Sequence, residues 1–241
     1  MAEVSKRDRV FQVFQHISHS YDSGNRRISL GLEKSWKKLL VDAVLKSAAG
    51  AVLDVCSGTG DIAIALAARR PDLQITGLDF SPAMLTIAQE KGRMLTNLVW
   101  QEGDAMKLPF ADNSFSAACI SFGLRNTSDY ERVLQEMRRV VCPGGWVYCL
   151  DSFVPDSPWV QPFYDIYFRM IMPVLGGGFG HHKEYQWLWQ STRNFLRRDQ
   201  LLTLFCNVGL VEAGYKSRLF GACVLHWGQK PYAVKNDVVT M

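Results

Sequence analysis

From residue 51 onward, short apolar runs alternate with segments of helical periodicity. The runs are 51–56, 74–79, 98–104, 115–122 and 146–153. Between them, apolar residues recur at three- and four-residue spacing over 61–68, 82–91 and 129–140, the signature of helices with one buried face. Such alternation predicts a mostly parallel sheet with helices on both faces. Pro143-Gly144-Gly145 reads as a stop between the third of these helices and the fifth strand. After a further helix over 199–208, two runs (209–220 and 222–231) are separated by Gly221 alone. So short a connection makes them antiparallel. The expected fold is α/β, a mostly parallel seven-stranded sheet whose last strand is antiparallel.

The flanks follow other rhythms. Val10, Phe11, Val13, Phe14 and Ile17 lie near helical spacing, and a second helical stretch covers Trp36 to Leu45 after a polar break. Residues 1–46 are therefore expected to form a helical cap on a main domain spanning 47–230. Within that domain, 154–200 breaks the alternation. It is dense in aromatics and methionine (Trp159, Phe163, Tyr164, Tyr167, Phe168, Met170) beside the run Gly176-Gly177-Gly178, as expected of a lid inserted after the fifth strand. Residues 231–241 carry no core pattern and read as a loose tail.

The 241 residues suit one domain with additions. At 48% hydrophobic and 21% charged the chain is ordinary for a globular protein, and a net charge of +4 does not point to nucleic acid. Its basic pairs, Arg69-Arg70, Arg138-Arg139 and Arg197-Arg198, lie on separate helices. No apolar run reaches the roughly 18 residues of a membrane span, and the charged first ten residues lack the apolar core of a secretory signal. The six cysteines are scattered without a C-x-x-C pair. They read as reduced thiols and not as a disulfide frame or a metal cage. A cytoplasmic location without a bound metal is expected.

Chemistry concentrates where the first strand meets the first helix of the repeat, at Asp54-Val55-Cys56-Ser57-Gly58-Thr59-Gly60-Asp61. Gly58 and Gly60 allow a ligand to approach the backbone, and the helix start offers free N–H groups. Gly58 to Ala63 also fits a dinucleotide fingerprint. Asp79 closes the second strand nineteen positions after Gly60, where a carboxylate accepts from ribose hydroxyls of either kind of cofactor. Three features favour S-adenosylmethionine over NAD. Asp104, after the third strand, is placed for an adenine amino group. Asp54 suits the methionine ammonium and is unwelcome beside a pyrophosphate. The terminal hairpin also replaces the second parallel half that a dinucleotide needs.

Asp104 to Asn126 (DAMKLPFADNSFSAACISFGLRN) resembles the ubiquinone/menaquinone biosynthesis C-methyltransferases, most specifically in Ser121-Phe122-Gly123-Leu124-Arg125-Asn126. Tyr21-Asp22, Asn25, Ser29 and Trp36 resemble that family's N-terminal signature. Tyr167-Phe168 with Pro173 and Gly176 resembles its segment after the fifth strand, and the likeness spans about residues 10–229. It implies a Rossmann-like class I methyltransferase that uses S-adenosylmethionine to methylate the ring of a reduced isoprenoid quinone precursor, demethylmenaquinol foremost. By resemblance, cofactor contacts fall on Thr59, Asp79, Asp104, Ala105 and Ser121. Phe80 is included beside Asp79, and Asp54, Gly58 and Gly60 join on the arguments above. Arg125 stays protonated and is a poor base, so its expected role is to hold the phenolate or polarise a water, with Asn126 orienting it. Tyr21 completes the catalytic set by contacting or covering the cofactor. His181-His182 is an alternative base, although such a pair in a glycine-rich loop is more often solvated.

Expected partners are the prenylated hydroquinone, a transient membrane surface reached through the N-terminal helices, and a second copy in a homodimer, with no nucleic acid. The chain departs from the family pattern at Gly24, Glu33, Cys142 and Asp151-Ser152-Phe153. These positions bear on the acceptor. A small-molecule O- or N-methyltransferase of the same fold, or a non-catalytic cofactor-binding subunit of a quinone-synthesis complex, stays open on the residues.

Overall fold

The computed structural model describes residues 24, 26, 27, 29–167 and 189–232. The helix expected over Val4–Ile17, Tyr21, the glycine run 176–178, the pair His181-His182 and nearly all of the expected tail lie outside the described residues. Seven strands form one sheet: β1 (Ala51–Val55), β2 (Gln74–Asp79), β3 (Leu98–Glu102), β4 (Phe115–Ser121), β5 (Val141–Ser152), β6 (Val211–Arg218) and β7 (Cys223–Gln229). Their spatial order is β3-β2-β1-β4-β5-β7-β6. The first five pair in parallel, and β7 runs antiparallel to both β5 and β6. This is the expected topology.

Alternating side chains on the strands build a core on each face. On one face, Val52 and Ile75 pack with Leu40, Val41 and Val44 of α1 (Glu33–Ser47) and with Ile62 and Leu66 of α2 (Asp61–Arg69). On the other, Leu53, Val55 and Ile120 pack with Val133, Leu134 and Met137 of α4 (Tyr130–Val140) and with Leu201 and Phe205 of α6 (Arg198–Asn207). Between α2 and α4 lies α3 (Pro82–Gly92), and a short α5 (Gln161–Ile166) follows β5. Because α1 shares the core of the sheet, the segment before residue 47 contributes packing as well as a cap.

Helix starts follow side-chain capping. Ser81 accepts from the Met84 N–H at 3.4 Å ahead of α3, with Pro82 at the first helical position. Asp129 accepts from the Arg132 N–H at 2.9 Å ahead of α4. The expected stop at Pro143-Gly144-Gly145 is placed differently by the structure. Strand β5 begins at Val141, directly after α4, and the three residues lie within it as a local break in register opposite Phe115–Ala117. Pairing continues there because the Gly144 N–H donates to Lys230 O, and the Lys230 N–H to Gly145 O, each at 2.8 Å. The six cysteines are free thiols. No helix among the described residues is long and apolar enough to cross a membrane.

Candidate active site

The carboxyl ends of β1, β2, β3 and β4 meet at one edge of the sheet, and the chain leaves β1 in a strained turn. Cys56 has φ 55°, Gly58 φ 55° and Gly60 φ 87°. A Cβ on Gly58 would meet nothing within 4 Å, whereas one on Gly60 would sit 2.4 Å from the Trp100 ring. The two glycines therefore differ. Gly58 opens onto a cleft, while Gly60 is required by backbone conformation and packing and does not line the cleft walls. The turn is tied down by Asp79, whose carboxylate accepts from the Gly58 N–H at 2.8 Å and the Ser81 N–H at 2.9 Å. The Phe80 N–H donates to the same carboxylate, which leaves about one of its roughly four acceptor sites for a ligand. Burial pushes the Asp79 carboxyl above its ordinary value, against those backbone hydrogen bonds.

Asp54 is 1% exposed. It accepts from the Cys119 thiol at 3.6 Å and the Ala63 N–H at 3.1 Å. Burial outweighs these bonds and pushes its pKa up to about 7. Asp104 follows β3 and accepts from the Met106 N–H at 2.9 Å.

Two clefts open along this edge. The first, of about 790 Å³, is walled by Asp79, Phe80, Met84, Asp104, Ala105 and Asn126, among others. The second, of about 1710 Å³, is walled by Asp54, Thr59, Asp61, Arg125, Tyr164 and Tyr167, together with residues from the 29–37 and 219–222 segments. Cys56, Gly58, Ser121 and Phe122 belong to both. Ser121 Oγ and Ser57 Oγ are buried with no hydrogen-bond partner among the described residues, and both residues line the second cleft. Such orphaned groups are uncommon in a finished interior and mark places where a polar ligand fits.

The expected cofactor residues are thus gathered along one edge, with Gly60 set back from the walls. Arg125 and Asn126 are not brought together. They sit in a 3₁₀ turn over Leu124–Asn126, where successive side chains diverge by about 120°. Arg125 faces the second cleft and Asn126 the first, where the Asn126 amide donates to Phe122 O at 3.3 Å.

Two acidic groups went unassigned in the sequence reading. Asp151, at the end of β5 and fully buried, forms an ion pair with the buried Arg125 guanidinium. It also accepts from the Ser152 N–H at 2.8 Å and the Arg125 N–H at 3.3 Å. The Arg125 guanidinium lies 5.6 Å from the Phe122 ring centroid. Asp61, the first residue of α2, pairs with Lys37 at 2.7 Å and with Lys91. Burial raises its pKa, but Lys37 and Lys91 together hold it below the ordinary carboxylate range. An acid at a helix start after a glycine turn was a signal for Asp61. Asp151 stands out in the sequence only as a departure from the family pattern, because its partner is set by strand pairing.

The fold is that of S-adenosylmethionine-dependent methyltransferases. A methyltransferase of that class from Thermotoga maritima superposes with a TM-score of 0.66 at 19% identity, covering 92% of this chain and 99% of its own. A phosphoethanolamine N-methyltransferase of Haemonchus contortus, solved with S-adenosylmethionine, gives a TM-score of 0.59 at 15% identity over 80% of this chain and 52% of its own. The sequence is narrower. The ubiE/COQ5 methyltransferase family matches residues 2–230. Demethylmenaquinone methyltransferases of Staphylococcus aureus strains JH9 and Newman are each 41% identical over 228 residues, 94% of this chain and 95% of theirs. The chain belongs to the ubiE/COQ5 methyltransferase family.

Proposed function

We propose that this enzyme methylates a ring carbon of a reduced, prenylated quinone precursor, demethylmenaquinol foremost, with S-adenosylmethionine as methyl donor. The acceptor class comes from the 41% identical relatives. The observation that carries the site is the meeting of the two clefts at Cys56, Gly58, Ser121 and Phe122. A nucleoside in one and an aromatic acceptor in the other are brought face to face there.

The residues present fit the donor. Asp104 and Asp79 offer acceptors for an adenine amino group and ribose hydroxyls, Phe80 and Ala105 supply apolar wall, and the orphaned hydroxyls of Ser57 and Ser121 supply polar groups. Gly58 leaves the approach clear, and Thr59 and Asp54 extend the binding surface toward the second cleft. When bound, S-adenosylmethionine supplies an electrophilic methyl group on a sulfonium. Asp54 meets its ammonium group and ionises in doing so. Tyr21, outside the described residues, stays the candidate that family resemblance offers for contacting or covering the donor.

The acceptor must present a nucleophilic carbon, which a hydroquinone does once an oxygen has lost its proton. Arg125 remains cationic and donates to that oxygen, favouring the phenolate, while Asp151 fixes the guanidinium and keeps the pair neutral beforehand. Leu32, Trp36, Val160 and Tyr164 give the acceptor cleft walls that are largely apolar. Alignment of the reactants in a dry site supplies about 7–11 kcal/mol of a barrier in favourable cases. The reaction takes place on the cytoplasmic side, at the surface of the membrane that holds the prenylated acceptor. Incubation with methyl-labelled S-adenosylmethionine and reduced demethylmenaquinone tests the reading. Label in the ring is the expected product; its absence under reducing conditions overturns the reading.

A further inference from the structure

The mouth of the acceptor cleft is rimmed by apolar side chains that face solvent. Leu30 is 67% exposed, Leu219 49% and Phe220 75%, and all three line the cleft. Trp159, 86% exposed, adjoins the cleft residue Val160. The three cleft residues also have left-handed backbones, with φ of 52° at Leu30, 47° at Leu219 and 54° at Phe220. A bulky residue rarely adopts that conformation, and here the strain is not repaid by burial. Two separate turns thus hold large apolar groups outward at a conformational cost.

The unpaired charges at this rim have one sign. Arg26 and Arg27 are exposed, and their carbonyls close the turn by accepting from the Gly31 N–H at 2.9 Å and the Leu30 N–H at 3.1 Å. Arg218 is exposed immediately before Leu219. None of the three arginines has an ion-pair partner among the described residues. Nearby acids are already paired, Asp156 with Arg198 at 2.8 Å and Glu33 with Lys37 at 3.6 Å. Exposed Trp, Phe and Leu beside unpaired arginines complement an anionic lipid surface, with apolar groups entering the acyl boundary and the cations meeting headgroups.

We infer that this rim, formed by Leu30, Trp159, Leu219 and Phe220 with Arg26, Arg27 and Arg218, seats the enzyme on an anionic bilayer with the acceptor cleft opening directly into the lipid. The inference rests on the reading of a prenylated acceptor. It places the contact at the cleft mouth, so the acceptor's tail stays in the acyl region while its ring enters.

Co-sedimentation of the full chain with phosphatidylglycerol–phosphatidylcholine vesicles tests it. The wild type is expected to pellet with these vesicles, less so as salt rises, and weakly with phosphatidylcholine alone. In L219N/F220N, asparagine tolerates the left-handed conformation, so the thermal midpoint is expected to hold or rise. Partition into vesicles should nevertheless fall about tenfold or more. In R26Q/R27Q/R218Q, binding to anionic vesicles should fall on the order of fivefold per arginine, with methylation of a tail-less naphthohydroquinone in solution unchanged. Wild-type protein left in the supernatant overturns the inference, as do both variants binding like wild type. So does a wild-type dimer, seen by sedimentation velocity, that L219N/F220N abolishes, because a second copy would then be what covers the rim. The tail-less substrate separates the two claims. Its failure to react under reducing conditions counts against the proposed reaction, while the vesicle result alone decides the rim.

Discussion

Gly60 answers two demands at once, a backbone at φ 87° and room for the Trp100 ring. Gly60→Ala should cost roughly 2–4 kcal/mol in urea unfolding. Trp100→Leu added to it should recover the packing share and leave the conformational one. Asp151 makes a different demand. Asp151→Asn leaves the Arg125 charge buried without a counter-ion, which should cost about 3–5 kcal/mol, and Arg125→Gln added to it should regain part of that loss. Because Asp151 acts through Arg125, Asp151→Asn should lower kcat more than it raises KM. Asp54, pushed up to about 7 by burial, should ionise when an ammonium arrives. Calorimetry with S-adenosylhomocysteine at pH 7, in buffers of different ionisation enthalpy, should therefore show release of about half a proton, and Asp54→Asn should abolish it.

At the scale of elements, strand–helix alternation in the sequence was enough to read the sheet and its antiparallel end. β2 has the bounds that its apolar run suggests, and α4 starts where Asp129 caps it. Asp129→Ala should lower stability by about 1 kcal/mol, measurable as a shift in denaturation midpoint. What stayed hidden depends on contacts between elements. The register that sets Ser121 beside Leu150 brings the ends of β4 and β5 together, and with them Arg125 and Asp151. Nothing local to either strand announces that pairing. The divergence of Arg125 from Asn126 is likewise a property of the turn and not of the residue types. Pro143-Gly144-Gly145 looked like a boundary, but Val141 pairs with Phe115 ahead of it, and the strand absorbs the glycines as an irregularity.

For the whole molecule, two buried groups bend the pH profile in opposite senses. Burial lowers the His226 pKa to about 4. Its contribution is complete above about 6.5 and is lost as pH falls toward 4. Asp54 is raised to about 7, so its contribution is complete below about 4 and is lost as pH rises through 7, with Asp79 acting in the same direction. His226 and Asp54 are each worth roughly 3–4 kcal/mol across their windows, so between about pH 4 and 6.5 the rise from His226 is opposed by the fall from Asp54 and Asp79. Chemical denaturation across that range should show a slope against pH more positive than wild type in Asp54→Asn and more negative in His226→Phe. Parallel curves for wild type and both variants would refute the assignment.

The wall that the two clefts hold in common, at Cys56, Gly58, Ser121 and Phe122, has a pharmacological consequence. A bisubstrate inhibitor, an adenosyl group joined to a naphthol by a short tether, needs no channel cut through protein to occupy both chambers. Its halves would raise each other's effective concentration, and such a conjugate should bind on the order of 10²–10⁴ times more tightly than either fragment.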